Sequence, residues 1–332
     1  MRVALAGLSH PHIAYFTAEL AARPGEAELV GVHLDPGDDP ARLDGFPAPA
    51  FESPERLLDA VAPDVLLVCG VYRRRAAAVL AALERGVAVL ADKPVLTDPA
   101  DLPALEQACR RDGALLSVAF EKRWYAATLQ ARRLVAQGAV GDLLHLSATG
   151  PHKLARRNRP AWYFDGGYGD LVADLPIHDI DLSLALTGAA SGSVQARRSG
   201  PADFPTLCAV DLDLDTGARS SIDANWLWPE SDPSPGRYQM RLTGSRGVIE
   251  IDFSRPTVAI TTDAPFDGLP AVTPKRPCQD FFDAWQRGQQ PEVGTAASLT
   301  ATRIALLAAQ SASLGGRPLP WSAVMPNSPN QP

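Results

Sequence analysis

The sequence predicts an α/β protein with a doubly wound parallel sheet, followed by an α+β domain with a large, mostly antiparallel open sheet. Strand and helix patterns alternate through residues 1–120, which is typical of right-handed parallel crossovers. Beyond Trp124, several strands with alternating apolar residues follow one another with short turns, which indicates antiparallel pairing. The 332 residues are enough for two such domains.

In the first domain, strand patterns are followed by amphipathic helices. The opening helix carries Ile13, Phe16 and Leu20 on one face. A later helix is expected to end at Gly86, and another to begin near Asp98. One strand is continuously apolar, as expected when both faces of a parallel sheet are buried. The predicted strands are RVALAG, ELVGVHLD, PDVLLVCGV, VAVLA and ALLSVA.

The second domain begins with a helix in ATLQARRLVAQG and ends with one in SLTATRIALLAAQSAS. A further helix is predicted near 178–187. We place the domains at 1–122 and 123–325, with a frayed tail at 326–332. The predicted strands are GDLLHLSATG, SVQARRS, LCAVDLDLD, ARSSIDANW, YQMRLTG and GVIEIDF.

Composition excludes several classes of partner. The formal net charge is −7, whereas nucleic-acid binding needs a basic face. Apolar runs are too short for a membrane span. The four cysteines are widely separated, so neither a disulfide framework nor a metal site is expected. Without a secretory leader pattern, a cytoplasmic location is expected. The predicted partner is therefore a small molecule.

The first strand leads into GLSHPH, where many α/β proteins bind a dinucleotide phosphate. Gly7 can form the tight turn, and Leu8, Ser9 and His10 follow at the start of the helix, where backbone N–H groups favour an anion. Ser9 can also cap that helix. His12 stands where a third glycine would allow close packing, and it could face a phosphate or cap the helix. An ordinary strand-to-helix corner is the alternative.

Other cofactor contacts are expected where strands end. Asp35 ends the second strand, where a carboxylate can accept hydrogen bonds from a ribose diol and repel a 2′-phosphate. That favours NAD, with NADP possible because Arg42 could soften the preference. Cys69 and Gly70 end the third long strand and are also assigned to the cofactor, as are Asp92 and Lys93 at the end of a later strand. A simple turn at Asp35 is the alternative.

The segment LADKPVLTDP places Lys93 at the end of a buried parallel strand. Proline at the next position stiffens the backbone there. Partial burial would lower the pKa of Lys93, which suits a proton donor or acceptor. Asp92 could pair with the lysine or face elsewhere, and a surface lysine in a loop is the alternative.

The stretch GGYGDLVADLPIHDIDLSLALTG spaces Asp174, His178 and Asp181 at i, i+4 and i+7, the spacing of one helical face. Pro176 is expected to open the helix. A carboxylate beside the imidazole would raise the pKa of His178 and make it a general base for a hydroxyl. A capping network is the alternative.

The basic, aromatic run HKLARRNRPAWYF at 152–164 is a candidate region for substrate contacts. His152, Lys153 and Trp162 could meet a polyol or an acid group. A solvated loop is the alternative, because charge runs are usually exposed.

Together these stretches resemble the Gfo/Idh/MocA family of oxidoreductases, over nearly the whole chain. ADKPVLTDPADL is similar to the EKP segment of that family, with Asp92 replacing glutamate, and GGYGDLVADLPIHDIDLSLALTG is similar to its Asp-x-x-x-His signature. LLSVAFEKRWYAATLQARRLVAQGAVGDLLHL resembles its domain crossing, where Arg123 is assigned to substrate. LTGSRGVIEIDF resembles a strand pair of its sheet. The resemblance implies an NAD(P)-binding Rossmann domain followed by a substrate-binding and oligomerisation domain.

The resemblance also implies hydride transfer between NAD and a carbinol carbon of a sugar, polyol or related compound. Lys93 would bond the developing alkoxide, His178 would take the hydroxyl proton, and Asp174 would orient His178. Three departures stand out. The phosphate turn lacks two glycines, Arg75 lies near the slot of a usual histidine, and Pro176 replaces a usual glycine. The arginines after the third long strand could grip a cofactor phosphate or coat a helix.

Two other functions remain open. One is a lyase or glycosidase that retains NAD and uses transient oxidation; the other is a non-catalytic regulator that binds cofactor or sugar. A homodimer or homotetramer is expected, because the open sheet would leave an apolar face that needs a partner.

Overall fold

The computed structural model describes residues 1–263 and 268–324. Its first sheet has six strands in the order β3-β2-β1-β4-β5-β6, all paired in parallel, which confirms the predicted doubly wound sheet. Apolar runs such as VLLV are buried at every position, as predicted for a sheet covered on both faces. The strands are β1 (Arg2–Ala6), β2 (Glu28–His33), β3 (Ala50–Phe51), β4 (Val65–Val68), β5 (Ala88–Ala91) and β6 (Leu116–Val118).

Four helices connect these strands. The helix before Gly86 ends at Glu84, and Gly86 follows with φ +73°, a conformation that glycine adopts without strain. The helix near Asp98 starts as a short 3-10 turn that the Asp98 side chain caps. Neither β3 nor α2 was predicted, because β3 has two residues and α2 buries only Leu57 and Leu58. The helices are α1 (Ile13–Ala21), α2 (Pro54–Val61), α3 (Tyr72–Glu84) and α4 (Leu102–Cys109).

The second sheet has eight strands in the order β13-β12-β11-β7-β10-β9-β8-β14. Only β7 and β10 pair in parallel, so the mostly antiparallel prediction is confirmed. The strands are β7 (Leu143–Pro151), β8 (Ser191–Ser199), β9 (Leu207–Leu214), β10 (Arg219–Asn225), β11 (Gln239–Gly244), β12 (Gly247–Asp252), β13 (Thr257–Thr262) and β14 (Leu319–Ser322). The remaining helices are α5 (Ala126–Ala136), α6 (Leu171–Asp174), α7 (Ile177–Thr187), α8 (Gln279–Gln286) and α9 (Thr295–Ser313).

The chain returns to the first domain after the second sheet. In α8, Phe281 and Phe282 are buried in the same apolar cluster as Phe16 of α1. In α9, Ser298 Oγ accepts the N–H of Val118 at 3.0 Å. The chain therefore crosses between the domains twice, once near residue 122 as predicted and once after the second sheet. The domain limits at 1–122 and 123–325 stay a prediction. The tail at 326–332 lies outside the described residues.

The outer face of the second sheet is polar, not apolar as predicted. Ser221 bonds Asp211 across neighbouring strands at 2.8 Å, and Arg241 pairs with Glu250 at 2.7 Å. The apolar residues of these strands point the other way, into the core. The argument from an apolar face is therefore wrong, and the oligomer stays a prediction. Among the described helices, none combines the length and hydrophobicity of a membrane span.

Candidate active site

A cavity of about 590 Å³ lies between the two domains, a size suited to a small molecule. Its floor comes from residues that follow the carboxyl ends of parallel strands, where α/β proteins bind ligands. Ser9 follows β1, Lys93 follows β5 and Glu121 follows β6. The second domain contributes Asp174 and His178. The predicted residues of the two domains therefore meet in one cavity.

Lys93 and Asp174 form a buried ion pair across the domain boundary. The ammonium donates to Asp174 Oδ1 at 2.7 Å, Tyr168 donates to Oδ2 at 2.8 Å, and Tyr72 donates to Oδ1 at 3.2 Å. Burial alone would lower the pKa of Lys93, but Asp174 and Asp92 outweigh burial and raise it. The predicted lowering is wrong, because two carboxylates face the lysine. Burial opposes ionisation of Asp174 too, yet Lys93 lowers its pKa.

His178 is held by Glu121 and not by Asp174 as predicted. Its Nε2 lies 3.3 Å from Glu121 Oε1, and its Nδ1 is buried with no hydrogen-bond partner among the described residues. Helix α6 ends at Asp174 and α7 begins at Ile177, so the i, i+4 spacing does not fall on one continuous helix. Burial, followed by the charges of Lys93 and Lys122, holds the pKa of His178 well below its usual value, opposite to the predicted rise.

Asp92 is the centre of a second buried cluster. Its carboxylate accepts bonds from His10 Nδ1 at 2.9 Å, His12 Nδ1 at 2.8 Å and Arg75 Nη2 at 2.8 Å. Burial opposes ionisation of Asp92, but these three groups hold its pKa well below the usual range. Burial lowers the pKa of His10 to about 3. His10 Nε2 lies 3.2 Å from the Tyr72 hydroxyl, so this cluster is connected to Asp174. The prediction of no metal site stays a prediction.

Arg75 supports the segment that carries Lys93. It is 1 % exposed, and its Nη1 donates to the carbonyl oxygens of Asp92, Lys93 and Pro94 at 3.1, 2.7 and 3.1 Å. Its Nε donates to Gly70 O at 3.0 Å. The sequence left open whether this arginine grips a cofactor phosphate or coats the surface of a helix, and it does neither. Arg75 instead fixes the backbone beneath the ammonium.

The opening turn fits a dinucleotide phosphate without the additional glycines. Gly7 has φ +76°, and a Cβ there would lie 2.1 Å from Gly70 Cα, so only glycine allows this approach. Asp38 accepts the N–H of Leu8 at 2.8 Å, which fixes the turn. Ser9 Oγ is buried at the cavity with no partner among the described residues, so it is available to a ligand oxygen. The N–H groups of Leu8 and His10 are bonded within the protein, contrary to the prediction, so the turn can meet the cofactor through Ser9.

Asp35 lies at a second cavity, of about 390 Å³, next to Gly70 and Arg74. Its Oδ2 accepts the N–H of Val71 at 2.9 Å, and Arg74 Nη1 lies 3.5 Å from Oδ1. This position suits the ribose of a dinucleotide. Cys69 is fully buried, and its carbonyl oxygen accepts the N–H of His10. Its thiol is therefore not exposed to either cavity.

The structure separates the predicted substrate residues into two groups. His152 and Lys153 line the main cavity, whereas Arg123 and Trp162 do not. Arg123 is buried and bonds both oxygens of Asp181, at 2.6 and 2.7 Å, which explains its absence from the wall. The Trp162 ring packs against the neighbouring Tyr163 ring, with centroids 4.3 Å apart.

Several residues of the site were missed. Glu121 comes three residues after the end of the last parallel strand, a position that could have marked it as a candidate. Tyr168 lies six positions before Asp174, in the same sequence stretch, but was not singled out. Tyr72 contacts Asp174 from 102 positions away, and the sequence carries no signal for that contact. Arg159 was part of the basic run but was not singled out.

His152 gives a prediction for stability against pH. Burial lowers its pKa to about 3 in the folded protein, whereas an unfolded histidine has a pKa of about 6.5. Its contribution is therefore fully present above pH ~6.5 and is lost as the pH falls towards ~3. Between pH ~7 and ~5, protonation of unfolded His152 lowers the free energy of unfolding of the wild type by about 2 kcal/mol. We expect His152→Gln to lack this part of the decrease. Urea unfolding at both pH values measures this, and equal losses in the two proteins would refute it.

Asp35 gives a prediction for cofactor choice. Asp35→Asn removes the charge but keeps an oxygen for the Val71 N–H. We expect the Kd for NAD to rise about tenfold and the preference over NADP to shrink, since a charged ribose contact is lost. Calorimetric titration with both cofactors measures this. Exposed Asp44→Asn is the control, and an unchanged preference in Asp35→Asn would contradict the assignment.

Comparison with known proteins agrees with this geometry. Residues 1–120 match the oxidoreductase family with an NAD-binding Rossmann fold, and residues 128–250 match the GFO/IDH/MocA C-terminal domain. The fold and site thus define an NAD-binding oxidoreductase. The chain belongs to the Gfo/Idh/MocA family, which confirms the resemblance seen in the sequence.

Three similar proteins illustrate the family. D-glucoside 3-dehydrogenase of Escherichia coli (strain K12) is 31% identical over 147 residues, which are 42% of this chain and 40% of that protein. An oxidoreductase structure from Thermotoga maritima has a TM-score of 0.87 and 24% identity, covering 98% of this chain and 100% of that one. Levoglucosan dehydrogenase in complex with NADH and L-sorbose has a TM-score of 0.78 and 17% identity, covering 96% and 98%.

Proposed function

We propose that this protein is a dehydrogenase that oxidises a secondary hydroxyl of a sugar, polyol or related compound reversibly with NAD. The observation that carries the proposal is the meeting of Lys93 with Asp174 and His178 in one cavity between the domains. The similarity to D-glucoside 3-dehydrogenase supports the choice of a sugar-like substrate. When bound, NAD supplies the hydride acceptor.

The chain itself holds the substrate hydroxyl and moves one proton. Lys93 stays protonated, since its pKa is raised, and it donates a hydrogen bond to the oxygen as negative charge develops. His178 Nδ1 accepts the hydroxyl proton, while Glu121 accepts a bond from Nε2 and fixes the ring. Asp174 positions Lys93 and does not orient His178. Glu121 therefore replaces Asp174 as the partner of the base.

The cofactor is placed by residues of the first domain. Ser9 of the opening turn holds a phosphate, and Asp35 holds the ribose of the adenosine half. Asp92 bonds His10 of this turn and Arg75, and Arg75 in turn fixes the backbone of Lys93. We also propose a cytoplasmic homodimer or homotetramer, to be tested by light scattering on the purified protein.

The test is a panel of glucosides, free sugars, polyols and nucleotide sugars, supplied with NAD and followed by the absorbance of the reduced cofactor. Reduction of NAD with one of these compounds is the expected result. Net conversion of substrate without added cofactor would favour the NAD-retaining lyase or glycosidase. Thermal stabilisation by ligand without any turnover would favour a regulator.

A further inference from the structure

The cavity wall is more positive than the proton chemistry needs. Lys93 is neutralised by Asp174, and Lys122 bonds both carboxylate oxygens of Asp179 at 2.8 and 3.0 Å. Among the residues that the structure describes, the other three cations on the wall have no carboxylate at ion-pairing distance. The cationic residues of the lining are Arg42, Lys93, Lys122, Lys153 and Arg159.

Two of the three unpaired cations belong to the second domain. Arg42 donates to the Leu8 carbonyl at 2.8 Å and so belongs to the cofactor turn. Lys153 donates to the Asp232 carbonyl, and Arg159 to the Leu154 carbonyl. Neither Lys153 nor Arg159 has a carboxylate at ion-pairing distance among residues 1–263 and 268–324. Cations that form no ion pair at a cavity wall attract an anionic ligand.

Arg159 is fixed before any ligand arrives. Its Nε donates to Leu154 O at 2.9 Å and its Nη1 to the Tyr163 hydroxyl at 3.2 Å. The guanidinium carbon lies 4.7 Å from the Tyr163 ring centroid and 4.8 Å from that of Trp226. Its Nη2 has no hydrogen-bond partner in the described part of the chain. A rigid, stacked guanidinium with a free nitrogen loses little entropy when it binds an anion.

A chain of hydrogen bonds through Tyr163 and Tyr72 connects Arg159 with Asp174, the partner of Lys93. The Tyr163 hydroxyl lies 3.2 Å from the Tyr72 hydroxyl, which in turn lies 3.2 Å from Asp174 Oδ1. Arg159 and Lys93 therefore contact one continuous cavity wall. An anion held by Arg159 would be part of the molecule whose hydroxyl meets Lys93.

We propose that the substrate is an acidic sugar or polyol, and that Arg159 binds its anionic group while Lys153 adds positive charge to the same wall. This inference rests on the proposed sugar oxidation. The carboxylate of a sugar acid and the phosphate of a sugar ester offer the same charged oxygens. Both accept the charge-assisted hydrogen bonds that a guanidinium donates.

The experiment compares matched substrates that differ only in charge: a hexose, its uronate and its phosphate ester. We expect wild-type kcat/KM to favour at least one charged member of a set. In Arg159→Met we expect the charged-to-neutral ratio of kcat/KM to fall about tenfold or more, since a charge-assisted contact is lost. Arg157→Met is the control, because Arg157 is an exposed arginine of the same turn outside the lining. Its ratio is expected to match the wild type.

The outcomes separate this inference from the proposed function. A ratio that falls for the uronate alone, or for the phosphate alone, supports the inference and identifies the source of the anion. Equal use of charged and neutral sugars, or an unchanged ratio in Arg159→Met, overturns it. If no sugar is oxidised, the proposed function fails, and calorimetric binding of glucuronate and of glucose 1-phosphate then tests the anion site. Binding that Arg159→Met weakens supports the site, and no binding to the wild type overturns it.

Discussion

Lys93→Met is expected to lower kcat by about 10²-fold or more and to destabilise the folded protein. The substitution removes the hydrogen bond to the developing alkoxide. It also leaves the Asp174 carboxylate buried beside Tyr168 and Tyr72 without its counter-charge. Breaking a buried ion pair from one side costs about 3–5 kcal/mol. Initial rates and urea unfolding measure the two effects separately.

A second variant separates chemistry from folding. Asp174→Asn combined with Lys93→Met removes both charges, so we expect much of the lost stability to return while turnover stays low. Lys275→Met is the matched control, because Lys275 pairs with Asp280 at 3.0 Å on a more exposed surface. An exposed pair contributes about 0–1 kcal/mol. Wild-type turnover in Lys93→Met would reject Lys93 as a catalytic residue.

His178→Ala is expected to lower kcat by roughly 10²- to 10⁴-fold, the usual range for removing a general base. Glu121→Gln should cost less, on the order of tenfold, because the amide oxygen still accepts the Nε2 proton but carries no charge. NAD binding is expected to persist in both variants, and calorimetry checks it. His145→Ala is the control, since His145 bonds Ser221 on the outer face of the second sheet.

The dependence of kcat/KM on pH tests whether His178 acts as a neutral base. The base must be neutral, and burial with Lys93 and Lys122 holds the pKa of His178 well below its usual value. The wild-type kcat/KM should therefore stay level as the pH falls from ~7.5 through ~6.5, the ordinary histidine value. A fall in kcat/KM centred near pH ~6.5 that His178→Ala abolishes would contradict a neutral buried base.

The fold was predictable because each element has a local pattern, whereas partners across the cavity were not. The apolar strand before Lys93 predicted the place of that lysine at the crevice, whereas His178 was assigned to the same site through the family resemblance. The spacing of Asp174 and His178 suggested a pair, but the break between α6 and α7 turns the two side chains to different partners. Glu121 contacts His178 from 57 positions away, a contact that only tertiary packing sets.

The burial of Arg75 could not be predicted from local sequence either. In the run of Arg73, Arg74 and Arg75, the letters are identical, yet two are exposed and one is buried. Which one enters the interior depends on the rotation of α3 against β5, and local sequence does not specify that angle. The carbonyl groups after β5 then supply the acceptors that a buried guanidinium requires.

The second connection between the domains, made where the chain returns to the first domain, limits how the two domains can move. One connection runs through the segment before α5, and another through α8 and α9, where Arg23 of the first domain also bonds Asp283 at 2.5 Å. Two tethers allow rotation only about an axis that passes close to both. Substrate exchange should therefore proceed by a small hinge of the crevice and not by wide separation, so product release is a step that the geometry itself can make slow.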